Sequence, residues 1–600
     1  MRERLHALGD GVARHRSALA VLAGVIGLAV GAAAVAFHWM IGAWMRLMSG
    51  TADPTAAPTE PHQFLGLGPL FVVAVPVLSG LLYGPVVQRI APSARGHGIP
   101  EVMLALAKKD GRIPGRVAVV KLFASALTIG GGGSAGREGP IVQVGASLGS
   151  WMAGLLRMPP RHVILLASCG GAAGIAATFN APLAGAIFAL EVLLARFSAE
   201  RFGYVVISAV MASLVSRAVL GSAPLVDLHM DVQLASLHDM GWIALLGLLA
   251  GLVGIGFSKT LYKVEDLLDW IWKRTHIPEA FRPAVLGLFL GLGLLAFPYM
   301  YGSGYPVQAN ALLGHYSVGF LLLLLVMRVL FTSWTIGMGG SGGVFAPTLF
   351  MGAMAGMAFG QLIDPVTDTN VAVFGVIGMG AAFAGAARAP LTAVLIIVEM
   401  TSQYDLILPM MLAVVIATAA SRFLTRATIY TEKLRRRGDS LQDPLAGTLL
   451  GSQRASDVMQ APPAPLPASM PAADALAELH RRGEDCAPVT SDDGTFLGFI
   501  DEGALTSPHS QTVGAIARPT PVLAENAPAL EITRAVSELP TAIGVPVVAT
   551  DGSGKLVGWI SATDIAHRAA EEQQARIDAI RAESSWGSRW LAKHRQGFDD

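Results

Sequence analysis

The 600-residue chain carries 43 basic and 43 acidic side chains, and with 14% charged against 53% apolar residues it lies outside the composition of soluble globular domains, where about a quarter is charged. It reads as an integral membrane protein, and the balanced charge argues against a nucleic-acid partner, which would leave a basic excess. Cys169 and Cys486, far apart and without CxxC spacing, indicate neither a disulfide framework nor a metal site.

A basic head, MRERLHALGDGVARHR, precedes a long apolar run. The run exceeds a cleavable signal and continues into Trp39 and Trp44, so residues 17–47 are expected to be a retained first helix, with Arg2, Arg4, Arg14 and Arg16 keeping residues 1–16 in the cytoplasm. Apolar segments follow at 64–90, 117–130, 140–156, 162–178, 182–197, 203–220, 238–258, 283–299, 317–337, 347–362, 371–386, 390–400 and 404–423. Several are shorter than the roughly 20 residues needed to cross a bilayer. Short, Gly/Pro-broken helices point to a transporter-like core, where irregular backbone is tolerated around a cavity. GLLAG (247–251) and GLFLG (287–291) are small-xxx-small patterns expected to mark close helix packing.

An internal repeat organises these segments. TIGGGGSAGREGPIVQVGA from Thr128 matches TIGMGGSGGVFAPTLFMGA from Thr335 at an offset of 207 residues, and APLAGAIFALE from Ala181 matches APLTAVLIIVE from Ala389 at 208, ending in Glu191 and Glu399. The membrane part is expected over 17–437, as two homologous halves at about 15–220 and 238–425, with a substrate site where the halves meet. Lys121 and Arg328 stand at equivalent positions, either raising the local positive potential or capping buried carbonyls. Glu191 and Glu399 are expected to satisfy buried backbone rather than carry protons.

After Tyr430 the basic stretch TEKLRRRGD suggests a cytoplasmic exit, and residues 438–453 form a linker. APVTSDDGTFLGFID (487–501) resembles VPVVATDGSGKLVGWIS (545–561), each strand, Asp-Gly turn and strand behind a helix-like segment. Two small α/β modules are therefore expected at 454–508 and 509–570, before a tail at 571–600.

GHGIPEV (96–102), GREGP (136–140) and GGVFAP (342–347) each set glycines and a proline before an apolar helix, leaving first-turn amides free at the positive end of its dipole. Such a tip binds an anion. A cation would want carboxylate clusters, and no metal site is expected. The other reading of Gly130 to Gly133 is a tight helix contact; without GK[ST] the stretch is not a P-loop. Glu138, beside Arg137 in an apolar region, is costly enough to read as functional.

These motifs, with Tyr430 in ATIYTEKL, resemble the signature set of the CLC family of chloride channels and chloride/proton antiporters, and the paired modules resemble CBS domains. The resemblance implies an all-α polytopic membrane fold of two inverted-repeat halves with broken helices, plus a cytoplasmic α/β CBS pair, in a homodimer in the bacterial inner membrane. It implies a central chloride site built from His97, Gly98, Ile99, Gly136, Arg137, Glu138, Gly139, Gly343, Val344, Phe345, Ala346 and Tyr430. In it the amides of Val344 and Phe345 and the hydroxyl of Tyr430 donate to the ion, and the Glu138 carboxylate gates it as a tethered competing anion. Arg137 is expected to order its loop rather than to touch the ion.

Two departures bear on mechanism. His97 stands where family members have serine, proline or methionine, leaving anion selectivity open. Val192 stands where coupled exchangers carry a second acid, so the internal proton relay is missing. The resulting expectation is channel-like passive chloride conduction gated by Glu138, with a chloride/proton antiporter using another proton path as the alternative. No cofactor is required; ATP or another adenine nucleotide at Ser561 and Asp564 of the second module is the regulatory expectation, weakened by Asp501 at the matching place of the first, and against it stands a purely structural role. A membrane enzyme is disfavoured by the lack of HExxH, GxSxG or paired acids. A nucleotide-sensing receptor would not need a duplicated, broken-helix core.

Overall fold

The computed structural model describes residues 16–50, 70–195, 199–221, 237–439, 455–505, 511–527, 531–532, 535–536, 544–561 and 563–565. Arg2, Arg4, Arg14, residues 64–69, most of the expected linker, much of the helix-like segment 527–538 and the tail 571–600 lie outside the described residues. The chain divides into two units, Met1–Leu441 and Gln442–Asp600.

In the first unit the first half runs α1 (Arg16–Ser49), α2 (Phe71–Ile90), α3 (Ile99–Lys108), α4 (Arg116–Gly130), α5 (Glu138–Leu155), α6 (Pro160–Phe179), α7 (Pro182–Phe188) and α8 (Ala199–Leu220). The second runs α9 (Met240–Thr275), α10 (Arg282–Ala296), α11 (Tyr305–Leu312), α12 (Val318–Gly337), α13 (Phe345–Ile363), α14 (Val371–Ala387), α15 (Pro390–Thr401), α16 (Ile407–Leu424) and the short α17 (Thr431–Arg436). Nine of the described helices are long and apolar enough to cross a membrane. Others, such as α3, α7 and α11, are not; a proline in the first turn starts each where its missing N–H costs nothing.

Three apolar segments differ from the sequence expectation. The segment read as 238–258 is a helix to Thr275: charges begin at Lys259, yet Leu261, Leu268 and Trp272 continue one buried stripe, which keeps the helix going past the apolar run. The segment read as 182–197 is α-helical only to Phe188 and widens into a π turn over Ala189–Leu193, closed by Leu194 N donating to Ala189 O. The segment read as 283–299 leaves the α-helix at Ala296 for a 3-10 turn at Pro298–Met300, because Pro298 cannot extend it.

The halves are related by a local two-fold axis, visible in bonds that occur in reciprocal pairs. Gly136 and Gly343, equivalent in the repeat, exchange both backbone bonds across an antiparallel bridge at 2.8 and 2.6 Å. Ser134 N donates to Thr335 Oγ1 while Ser341 N donates to Thr128 Oγ1. Ser134 Oγ meets Thr332 Oγ1, and its mate Ser341 Oγ meets Ser125 Oγ. The helices α7 and α15 lie antiparallel, so Glu191 accepts from the amides of Leu391 and Thr392 while Glu399 accepts from those of Leu183 and Ala184. Each acid thus caps the other half's broken helix, where the dipole favours negative charge.

Close backbone approach repeats in the same way. A Cβ on Gly170 would strike Gly145 O, and one on the equivalent Gly378 would strike Gly352 O, so α6 crosses α5 as α14 crosses α13 with nothing between. The GLLAG and GLFLG segments also pack backbone to backbone, Gly251 on Ala417 and Gly291 on Val73.

The second unit holds two three-stranded sheets of order β1-β2-β3 and β4-β5-β6, with β1 Leu466–Pro467, β2 Cys486–Thr490, β3 Phe496–Asp501, β4 Leu523–Ala524, β5 Val545–Val548 and β6 Leu556–Ile560. In both, a parallel outer strand joins an antiparallel hairpin. The hairpin turns place Gly494 and Gly552 at φ 85° and 81°, which the Asp-Gly pattern anticipates. The hairpins bond to each other through Phe496 N to Gly554 O at 3.0 Å.

Candidate anion-binding site

Four helix tips meet between the halves. Gly98, at φ 82°, caps α3, and Gly304, at φ 81°, caps α11, a conformation that side-chain-bearing residues rarely hold. The tips of α5 and α13 begin at Glu138 and Phe345, immediately after the Gly136–Gly343 bridge. Contact between three tips is tight: a Cβ on Gly139 would strike His97 O and lie 3.1 Å from Gly343 Cα.

The Glu138 carboxylate is wholly buried in this junction. Its Oε2 accepts from the amide of Ala346 at 3.4 Å, in the first turn of α13, and its Oε1 accepts from the hydroxyl of Tyr305 at 2.6 Å. The amide bonded to the carboxylate is thus that of Ala346, one of the residues the resemblance places at the anion site. Phe345 packs its ring between Phe179 and Phe383, at 5.2 and 4.1 Å between centroids. Gly136 and Gly343 leave room for the carboxylate, whose Oε2 lies 3.3 Å from the place a Gly343 Cβ would take.

Arg137 points elsewhere. Its guanidinium reaches His38 Nδ1 at 3.0 Å and Thr178 O at 3.4 Å and lies 5.6 Å from the Tyr305 ring centroid. Lys121 donates to Ala94 O and Gly96 O, and Arg328 donates to Ser303 O, so both members of that repeat pair hold carbonyls in the loops before α3 and α11.

On the other side of the junction His97 and Tyr430 face each other, rings 6.2 Å apart. His97 Nδ1 and Tyr430 Oη are buried with no hydrogen-bond partner among the described residues. His97 Nε2 lies 3.4 Å from the hydroxyl of Tyr262, which itself donates to Ile429 O at 2.5 Å. Val192 is buried in the apolar core of the π turn, next to Glu191.

Two clefts flank the junction. One of about 200 Å³ is lined by His38, Arg137, Thr178 and Asn180. The other, about 410 Å³, is lined by Tyr262, Lys433, Arg436 and Arg437 together with Glu265 and Asp266. Arg137, next to Glu138, lines the first cleft, and Tyr262, whose hydroxyl lies 3.4 Å from His97 Nε2, lines the second.

Tyr305 and Tyr262 escape the sequence reading. A signal for the first was present: GSGYP (302–306) stands 206 residues after GHGIP (96–100), the repeat's own offset within one residue. Tyr262 carries no such mark, because it approaches from α9, remote in sequence, whereas Lys433 lies three residues after Tyr430 in the basic stretch TEKLRRRGD.

A family model described as voltage gated chloride channel matches residues 79–422. The chain belongs to the CLC family. CBS-domain models match residues 455–507 and 513–571 of this CLC protein. It is 36% identical over 378 residues to the H(+)/Cl(-) exchange transporter ClcA of Vibrio parahaemolyticus, covering 61% of this chain and 80% of that one. It is 34% identical over 443 residues to the ClcA of Salmonella arizonae, covering 71% and 90%. The solved structure of a slow cyanobacterial Cl-/H+ antiporter superposes with a TM-score of 0.61 at 28% identity, covering 71% of this chain and 98% of that one. A eukaryotic CLC transporter superposes at 0.58 and 19% identity over 91% and 97%, a likeness of fold that includes the carboxy-terminal region. This is a multi-pass membrane protein of a transport family.

In the CBS pair Ser561 and Asp564 bond to each other, Oγ to Oδ2 at 2.6 Å, with both backbone amides joining in. The matching Asp501 instead accepts from Ala504 N and faces Arg518 at 3.2 Å.

Proposed function

We propose that the chain carries chloride across the membrane in exchange for protons, with Glu138 as the gate. The observation that carries this reading is the Glu138 carboxylate itself, an anion on a tether, lying between helix tips and hydrogen-bonded to a first-turn amide. A carboxylate there competes with a free anion until it takes up a proton, so one group links the two ions. His97, Gly98, Ile99, Gly139, Val344, Phe345 and Tyr430 form the inner part of the same site, where a hydroxyl donor binds an anion without trapping it. Exchange is favoured over conduction because relatives at 34–36% identity are named H(+)/Cl(-) exchange transporters and a structure at 28% identity is a Cl-/H+ antiporter.

The channel-like reading keeps one specific support: Val192 cannot ionise, and it sits in apolar packing. Reconstitution decides between them. In liposomes with an imposed chloride gradient, exchange drives protons uphill at a fixed ratio; chloride flux without proton movement assigns conduction instead. The amino terminus is assigned to the cytoplasm on Arg2, Arg4, Arg14 and Arg16, and the CBS pair on the Arg435–Arg437 cluster after the last membrane helix. A homodimer is assigned from the family resemblance, and adenine nucleotide binding is assigned to the second CBS module at Ser561 and Asp564.

A further inference from the structure

Tyr305 opens α11 directly after Gly304, as Ile99 opens α3 directly after Gly98. One backbone device thus delivers an aliphatic side chain in the first half and a phenol in the second. The phenol hydroxyl donates to Glu138 Oε1 at 2.6 Å. Its loop is held from α12, where the buried Arg328 donates to Ser303 O and sets Nη1 2.9 Å from where a Gly304 Cβ would stand. The charged and titratable groups facing the carboxylate are Arg137 from its own helix tip, Tyr305 from α11, Arg328 from α12 and Tyr430 from the start of α17. Of these, Tyr305 is the one whose side chain is hydrogen-bonded to it.

We propose that Tyr305 is a positioning residue for the gate: its hydroxyl latches the ionised Glu138 carboxylate in the anion site, so chloride must displace that carboxylate from a side-chain donor as well as from a helix tip. The inference rests on the reading of Glu138 as gate. A hydroxyl bonds an ionised acceptor more strongly than a neutral one, so the latch holds the charged gate and releases the protonated one. Weakening it lets the gate open at lower proton concentration.

The test is Tyr305→Phe, which keeps the ring beneath Arg137 and removes one oxygen. The pH of half-maximal chloride flux in liposomes should rise by about one unit, a tenfold change in proton concentration, as befits the loss of one bond to a charged group. Chloride binding at neutral pH, followed calorimetrically on the purified protein, should tighten several-fold because its competitor is held less firmly. Tyr305→Leu, which also lacks the donor, should move both quantities the same way. An unchanged midpoint with unchanged chloride affinity in Tyr305→Phe overturns the latch. Glu138→Gln separates the two failures: if it flattens the pH profile while Tyr305→Phe moves nothing, the latch alone fails; if Glu138→Gln retains the pH profile, the gate assignment fails and the latch with it.

Discussion

Positions 138 and 345 are the same place in two copies of one motif, and they carry a glutamate and a phenylalanine. Around them the copies agree closely: the Gly136–Gly343 bridge, the crossed Ser–Thr bonds and the exchanged caps of Glu191 and Glu399 are all symmetric. The chemistry is not. One tip presents a carboxylate, and the other presents its amide to that carboxylate while its phenylalanine packs away among aromatic rings. The difference teaches that duplication supplies a scaffold with like helix tips, and that side-chain divergence at a few symmetric positions sets one acid between them. The CBS pair follows the same rule, with Asp501 and Ser561 at equivalent places in two like sheets.

The largest expected effect falls on the asymmetric position. Glu138→Gln should abolish proton coupling and the pH dependence of chloride flux, measured by parallel chloride and proton recording in liposomes. Retention of both would mean that the symmetry-breaking acid is not the gate.

Next come paired substitutions in the symmetric scaffold. Gly170→Ala and Gly378→Ala each place a Cβ against a backbone carbonyl of the crossing helix. Overpacking of this kind costs about 1–3 kcal/mol, so both should lower the thermal midpoint of the purified protein by similar amounts. If one is silent and the other severe, the two crossings are not equivalent.

Smaller still, Glu191→Gln and Glu399→Gln exchange a charged cap for a neutral one, at about 1–2 kcal/mol each. Both should leave proton coupling intact. Loss of coupling in Glu191→Gln alone would show that the acid beside Val192 moves protons, and would sharpen the asymmetry rather than blur it.

The smallest effect is expected in the tail. Ser561→Ala removes a hydroxyl that bonds Asp564 and should cost about 1 kcal/mol, as lost helix-start caps do. It should also remove the heat of ATP binding by the full-length protein in calorimetry. Absence of any ATP heat in the unaltered protein would leave the Ser561–Asp564 pair a cap and nothing more.

The duplication, the broken helices and the motif glycines were legible because each leaves a local mark: a recurring offset, a run too short to span, a proline after a glycine. Glu138 stood out because charge in an apolar stretch is costly. Tyr305 was marked by the GSGYP offset but by nothing that names its partner, since Glu138 lies 167 residues away. The end of α9 was hidden for a related reason. Its continuation past Lys259 is held by one buried stripe, and composition reports a whole window, not a face.

By itself the sequence determined the membrane class, the two-fold duplication and the presence of several helix starts primed for an anion, because hydropathy, repetition and turn chemistry act over a few neighbouring residues. Only the tertiary structure decided which amide reaches Glu138, that Arg137 turns to His38 and Thr178, and that a phenol from the second half holds the acid of the first. Those pairings join residues 41 to 208 positions apart, and their distances exist only once helices remote in sequence have packed against each other.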